Sequence, residues 1–311
     1  MSIISLLNAM PGAVAQGLIW GIMAIGVYIT NKILDIADLS VDGTMCTGGA
    51  VCIVMITNGA PMWLAFVCAV AAGMLAGLAT GILHTVMGIP AILAGILTQL
   101  GLYSVNLKTM GKANLPINNQ KYELLVSLLY VKGVPFYKNT IFVVAICVIV
   151  IIAALYWFFG TELGCSLRAT GCNPNMSRAQ GINTNINKVL GLMISNGIVA
   201  FSSALLSQYQ GFADINMGRG AIVIGLAAVI IGEVVFGKIF GNFALKLVAV
   251  ALGGIIYYVV LQVVIWLGFD TDLLKLLSAC VVAVFLAIPY IKKEHFTTVK
   301  SKKGENENAG D

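Results

Sequence analysis

The sequence predicts an all-α polytopic membrane protein with about 8–10 transmembrane helices, an inverted-repeat core and discontinuous helices. Three observations lead there. Of 311 residues, 59% are hydrophobic and only 10% charged, with a mean hydropathy of +0.95; a soluble domain of this length needs far more charge to cover its surface. Runs of about 20 apolar residues recur, each enough to cross a hydrocarbon core roughly 30 Å thick. They do not alternate apolar with polar side chains, which excludes a transmembrane β-barrel. The 34 glycines suit helices that approach one another closely in lipid.

The first apolar segment covers 13–30. The first charged side chain is Lys32, so no basic region precedes that segment and no signal peptide is expected. LDIADLSVDG follows at 34–43 and places Asp35, Asp38 and Asp42 between two very hydrophobic stretches. Carboxylates are costly at membrane depth, so this decapeptide is either a solvated connection or part of a polar path. Spans at 43–57, 62–83 and 89–107 come next, with a short turn at Asn58-Gly59-Ala60-Pro61 and an interfacial His84. Residues 108–139 form a polar loop carrying five lysines against one glutamate. Further spans fall at 140–159, 187–209, 220–237, 243–268 and 272–290, separated by a long polar loop at 160–188 and a turn at 238–242. Trp20, Trp63, Trp157 and Trp266 read as interface anchors near span ends.

Lysine and arginine set the orientation. The tail after Pro289, the turn carrying Lys238, and the loop carrying Arg168, Arg178 and Lys188 all fall on one side, which is therefore cytoplasmic. The N-terminus and the 108–139 loop then lie outside. That loop is basic against the usual tendency, as a solvated loop or as a surface on which something acidic docks. Residues 1–291 thus make one transmembrane domain. Residues 292–311, within a stretch holding five lysines, read as a disordered cytoplasmic tail lying against anionic lipid.

Two distant stretches resemble each other. ADLSVDG at 37–43 and ADINMGRG at 213–220 each give Ala-Asp, an aliphatic residue, a small polar residue (Ser40 or Asn216), an aliphatic residue and a glycine-bearing turn. Each opens onto a Gly/Ala-rich apolar helix. An odd number of spans separates them, so the copies run in opposite directions, as in transporters whose interrupted helices build a site near the midplane. Broken helices leave unpaired N–H groups at their starts, and those ends favour anionic groups. Asp38 and Asp214 then either cap the half-helices, pair with Arg219, or face a wet cavity. Asp38, Ser40, Asp42, Asp214, Asn216, Arg219 and Glu233 are the candidate path and gating residues.

The polar loop has strong helix grammar. Asn173 suits an N-cap, Pro174 the first helical position and Gly181 the C-terminal stop. A preceding short helix over 163–170 is expected to end at Gly171. Two short surface helices are more structure than a connector needs, and an ordered polar loop of this length touches a partner.

TELGCSLRATGCNPNMSRAQGI within that loop resembles the coupling loop of ABC-importer permeases of the branched-chain amino acid and ribose type. The pattern is T-x-x-G-x-x-x-R-A-x-G-x-N followed by an alanine and Gly-Ile, compressed here to Ala179, Gly181 and Ile182. GFADINMGRGAIVIGLAAVIIGE is similar to the family's segment after the next span. LDIADLSVDGTMCTGGAV looks closest to a subgroup in which a single permease works with a tryptophan- or tyrosine-type substrate-binding protein. The resemblance implies alternating access in a bacterial cytoplasmic membrane, in a homodimer with the pathway on its two-fold axis. It implies Arg168, Asn173, Arg178 and Gly181 as the residues that engage an ATPase; for both arginines, positive-inside anchoring is the simpler alternative. It implies that Glu233 helps form the cytoplasmic gate, although pairing with Lys238 would explain it equally. The implied partners are an ATP-binding subunit that holds the nucleotide and magnesium, an extracytoplasmic substrate-binding lipoprotein, and a second copy of the chain.

The residues themselves permit this division of labour. No GxxxxGK[ST] phosphate loop is present, so ATP hydrolysis falls to another polypeptide and this chain carries no cofactor and is not an enzyme. The two histidines, His84 and His295, give no metal signature and no catalytic base. Ser195, Ser202, Ser203 and Ser207 read as helix-packing residues, and the seven cysteines as reduced packing residues. Nothing points to nucleic acid. The main rival reading is an ion-coupled secondary transporter using Asp38, Asp214 and Glu233.

Overall fold

In the computed structural model, the described residues are 3–117, 122, 124–131, 139–237 and 239–268, with single positions between 276 and 287. The tail, Lys238, the acidic turn at 269–272 and most of the last predicted span lie outside them. Helix α1 (Ile3–Tyr28) runs into one π turn (Ile29–Ile33), and α2 (Val41–Thr57) follows after a break. Then come α3 (Met62–Thr85), α4 (Ala91–Met110), strand β1 (Asn114–Pro116), a 3₁₀ turn (Leu128–Val131) and α5 (Thr140–Gly160). Two short helices, α6 (Glu162–Cys172) and α7 (Pro174–Ala179), precede α8 (Thr184–Gln210), β2 (Phe212–Asp214), α9 (Ala221–Phe236) and α10 (Phe243–Trp266).

Five helical stretches are long and apolar enough to cross a membrane: Leu6–Ile33, α3, α5, α8 and α10. Helices α2 and α9 are shorter, at 17 and 16 residues, or about 25 Å at 1.5 Å per residue. Each falls short of a full crossing, as expected for helices that begin inside the bilayer.

The core is a bundle of α1, α2, α8 and α10, with α3, α4, α5 and α9 around it. Backbones approach where side chains are absent. A Cβ on Gly48 or Gly73 would run into the backbone carbonyl of Ala200 or Asn196 on α8, and one on Gly253 into that of Ala228 on α9. Serines add the lateral bonds: Ser195 donates to the Gly26 carbonyl at 2.8 Å, Ser202 to that of Ile19 at 2.6 Å, and Ser203 to that of Met45. With no hydrophobic force between helices in lipid, such close packing and bonding hold the bundle together.

Two expectations are corrected. Trp20 is 6% exposed and packs on Tyr258 with ring centroids 5.8 Å apart, so it is a core residue; Trp63 and Trp157 are exposed as anticipated. Helix α6 does not stop at Gly171 but runs on to Cys172. Gly171 is small because its Cα lies against the carbonyl of Ile33. Otherwise the described residues are almost wholly helical, as an all-α fold requires. β1 and β2 form a two-stranded antiparallel ribbon pairing Asn114 with Asp214, too short to show a periodicity in sequence.

Candidate functional site

The first break is built from local chemistry. Thr30 donates to the Val27 carbonyl at 3.1 Å, and Ile36 N–H reaches back to Thr30 at 2.9 Å, widening the last turn of α1. Asp35 then takes φ +54, a left-handed conformation that aspartate tolerates better than most residues. Asp38 closes the next turn: its Oδ1 accepts from the Ser40 N–H at 2.9 Å and from the Ser40 hydroxyl at 2.5 Å. In the second stretch Asp214 Oδ1 accepts from the Asn216 N–H at 2.7 Å. The two sequence copies therefore share one device, a carboxylate bonded to the N–H two residues on.

Their surroundings differ. Asp38 is 2% exposed and meets Asn196 of α8, whose Nδ2 donates to Asp38 Oδ2 at 2.8 Å. Asn196 Oδ1 in turn accepts from Thr44 at 2.6 Å. Asp38, Ser40, Thr44 and Asn196 form a buried, fully bonded polar cluster that pins the start of α2 to the middle of α8. Asp214 is half-buried and accepts from Asn114 at 3.4 Å, tying the second break to β1 and the lysine-rich loop. Among the described residues neither aspartate has a cation within 4.0 Å, so the pairing with Arg219 does not form.

Asp42 plays a role the sequence did not reveal. Helix α9 starts at Gly220, which has φ +83 and no side chain with which to cap the helix. Asp42 supplies the cap from 178 residues away: Oδ2 accepts from Gly220 N–H at 2.9 Å and Oδ1 from Ile222 N–H at 3.0 Å. Gly218, which aligns with Asp42 in the repeat, has no Cβ and admits the Asp42 carbonyl. The starts of α2 and α9 thus meet at one carboxylate. From there α2 runs to Thr57, whose carbonyl accepts from Tyr122 near the ribbon. α9 runs the other way to Glu233, which pairs with Lys32 at 2.8 Å beside the end of α1. Each repeat copy therefore precedes a short helix, and the two helix starts are bonded to each other. Glu233 pairs with Lys32 because the folded bundle brings the end of α1 to the end of α9; the alternative partner, Lys238, lies outside the described residues.

Asn216 and Arg219 are exposed on the turn between β2 and α9. A cavity of about 120 Å³ adjoins them, walled by Asp42, Gln99, Tyr103, Asn106 and Arg219 among others.

The two short helices follow the capping pattern expected. Asn173 Oδ1 accepts from the N–H groups of Asn175 and Met176 at 3.1 and 3.0 Å, Pro174 occupies the first helical position, and Gly181 has φ +81. Arg178 is held by its own chain, Nε donating to Thr184 at 2.8 Å. Arg168 lies 5.3 Å above the Phe243 ring, beside a cavity of about 640 Å³ that also touches Trp157. On α7 the exposed apolar side chain is Met176, at 53%. The contact of Gly171 with Ile33 joins α6 directly to the π turn ahead of the first break.

Sequence reading passed over Asn196, Lys32, Thr44 and Met176. Asn196 carried a usable signal, as a lone amide inside an apolar span. Among the described residues no group of three His, Cys, Asp or Glu side chains is close enough to bind an ion.

Residues 10–287 match the family described as branched-chain amino acid transport system / permease component. The chain is 39% identical to the tyrosine transport system permease protein of Clostridioides difficile (strain R20291), over 90% of this chain and 91% of that protein. It is 34% identical to protein RP368 of Rickettsia prowazekii (strain Madrid E), over 93% and 99%. Among solved structures it resembles PsaBC from Streptococcus pneumoniae in complex with Fab, with a TM-score of 0.54 at 15% identity, covering 92% of this chain and 95% of that one. That likeness concerns the fold.

Proposed function

The chain belongs to the branched-chain amino acid transport permease family, and from that membership we propose that it is the membrane subunit of an ATP-driven importer for an aromatic amino acid. The observation that carries this reading is the α6–α7 pair: an ordered, fully capped helical projection between α5 and α8, in contact with the first helix break through Gly171 and Ile33. The 39% identity to a tyrosine permease supports the cargo class.

The mechanism follows from the connections. A separate ATPase closes on nucleotide and moves α6 and α7, with Arg168, Asn173, Arg178 and Gly181 setting their shape and Met176 offering an apolar contact. α6 bears on Ile33 at the start of the break. Asp42 clamps the first turns of α2 and α9 together, so movement at one break is carried to the other. Glu233 and Lys32 close the end nearest α6, and Asp214, bonded to Asn114, links the opposite end to the lysine-rich 108–139 loop. A substrate-binding lipoprotein docks on that loop, and two copies of the chain enclose the path in the cytoplasmic membrane. The ion-coupled alternative has less support: Asp38 and Asp214 are occupied with turn N–H groups, and Glu233 with Lys32.

Affinity purification of the tagged chain in mild detergent tests this reading. A P-loop ATPase co-purifies with the wild type, and Met176→Glu or paired Arg168→Glu and Arg178→Glu substitutions remove it. If the chain comes out alone, with uptake that collapses on adding an ionophore while ATP is held constant, the proposal is refuted.

A further inference from the structure

The cavity of about 120 Å³ beside the joined helix starts has a charge arrangement that nothing above uses. Arg219 projects from the turn before α9 and is exposed. Among the described residues no carboxylate lies within 4.0 Å of it. Its five N–H donors in a planar fork match a carboxylate bidentately. Asp42 forms another wall. Its two oxygens accept backbone N–H groups from Gly220, Ala221 and Ile222, and a carboxylate with about four lone-pair sites keeps acceptor capacity beyond these. Between these groups stand Gln99, Tyr103 and Asn106 of α4. Asn106 uses its Nδ2 on the Gly43 carbonyl at 3.4 Å and keeps its oxygen.

An unmatched guanidinium beside a carboxylate with a free lone pair, in a small cavity of mixed polar and apolar lining, is the complement of a zwitterion. The volume sets the size of what enters. Water takes about 30 Å³ in the liquid, so 120 Å³ admits a group of four or five heavy atoms. That suits the ammonium, Cα and carboxylate of an amino acid, and excludes an aromatic side chain. The side chain is left on the open face of α4, where Leu100 and Tyr103 are 64% and 44% exposed.

We propose that this cavity holds the main-chain zwitterion of the cargo, Arg219 binding its carboxylate and Asp42 its ammonium. The inference rests on the amino-acid reading above. It makes the permease selective for the head group, whichever side chain the binding protein delivers.

The test uses the permease in nanodiscs, with radiolabelled L-tyrosine as the probe. Tyramine, which lacks the carboxylate, and 3-(4-hydroxyphenyl)propionate, which lacks the ammonium, serve as competitors. The wild type binds tyrosine, and both competitors are weaker than unlabelled tyrosine. Arg219→Gln weakens tyrosine binding on the order of tenfold to a hundredfold, as expected for a lost charged hydrogen bond, and abolishes the preference for tyrosine over tyramine. Arg219→Lys keeps that preference in part and controls for folding. Undetectable tyrosine binding by the wild type, or a preference over tyramine that survives Arg219→Gln, overturns the inference. Import by the complete transporter in proteoliposomes separates the two levels. If the wild type imports no amino acid, the functional reading fails; if it imports tyrosine and Arg219→Gln does so equally fast, only the head-group site fails.

Discussion

Replacing Asp42 by alanine removes the bonds that hold the start of α9. The loss has two parts. An N-cap substitution of this kind costs about 0.5–2 kcal/mol. Removing a negative charge from a helix N-terminus costs about 0.3–1 kcal/mol, and up to about 2 kcal/mol where the site is partly buried. Asp42 is half-buried and caps from another helix, so we expect about 2–3 kcal/mol in total. Soluble domains of 150–250 residues lose roughly 2–4 °C per kcal/mol, which on this larger chain suggests a drop of about 5 °C. Asp42→Asn keeps one acceptor oxygen and loses the charge, so it should fall about midway. The assay is thermal unfolding of the purified chain in detergent, followed by the loss of its monodisperse elution peak. Alanine matching the wild type would refute the claim that Asp42 joins the two half-helices. Asparagine matching the wild type would show that the charge contributes nothing and the hydrogen bonds suffice.

Other outcomes follow from the same contacts. Asn196→Ala leaves the buried Asp38 carboxyl without its lateral partner and should cost about 1–3 kcal/mol; Asp38→Asn combined with Asn196→Asp restores a bonded pair, and recovery of expression and Tm over either single variant checks it. Gly171→Val forces α6 away from the Ile33 carbonyl, so uptake should fall by more than the amount of co-purifying ATPase; parallel losses would contradict a relay through that contact. The Lys32–Glu233 pair is 43% and 41% exposed and should contribute no more than about 1 kcal/mol, weakening further with added salt. A double-mutant cycle measures it, and a coupling well above that range would mark a tighter gate than this geometry implies.

The features legible in the sequence were those encoded within a few residues. Asn173, Pro174 and Gly181 announced α7 because capping is a contact between near neighbours. The likeness of ADLSVDG to ADINMGRG was legible for the same reason: Asp38 and Asp214 each bond the N–H two residues ahead. Span positions followed from hydropathy, and α2 and α9 proved short where the notable glycines and polar residues interrupt the apolar run. Partners across the bundle were not legible. Nothing near Asp42 indicates that it caps a helix 178 residues away, and nothing near Gly171 indicates that its missing Cβ serves contact with Ile33 rather than a helix end. Charge complementarity offered Arg219 as one partner for Asp38 and Asp214, a pair the described residues do not form.

The three acids of LDIADLSVDG meet three different fates. Asp35 is exposed and shapes the turn with its left-handed backbone. Asp38 is buried and satisfied by a serine and an amide. Asp42 is half-buried and satisfied by the N–H groups of a second broken helix. In no case, among the described residues, does a lysine or arginine lie within 4.0 Å of the carboxylate. Breaking a helix in the bilayer exposes donors, and a carboxylate placed beside those donors satisfies two deficits together. A cation is then not needed for the break to be stable, which leaves Arg219 unpaired at the one point where the two breaks meet. Its position on the wall of the cavity that Asp42 also lines, with no carboxylate within 4.0 Å among the described residues, is the arrangement expected if its partner arrives from outside the chain.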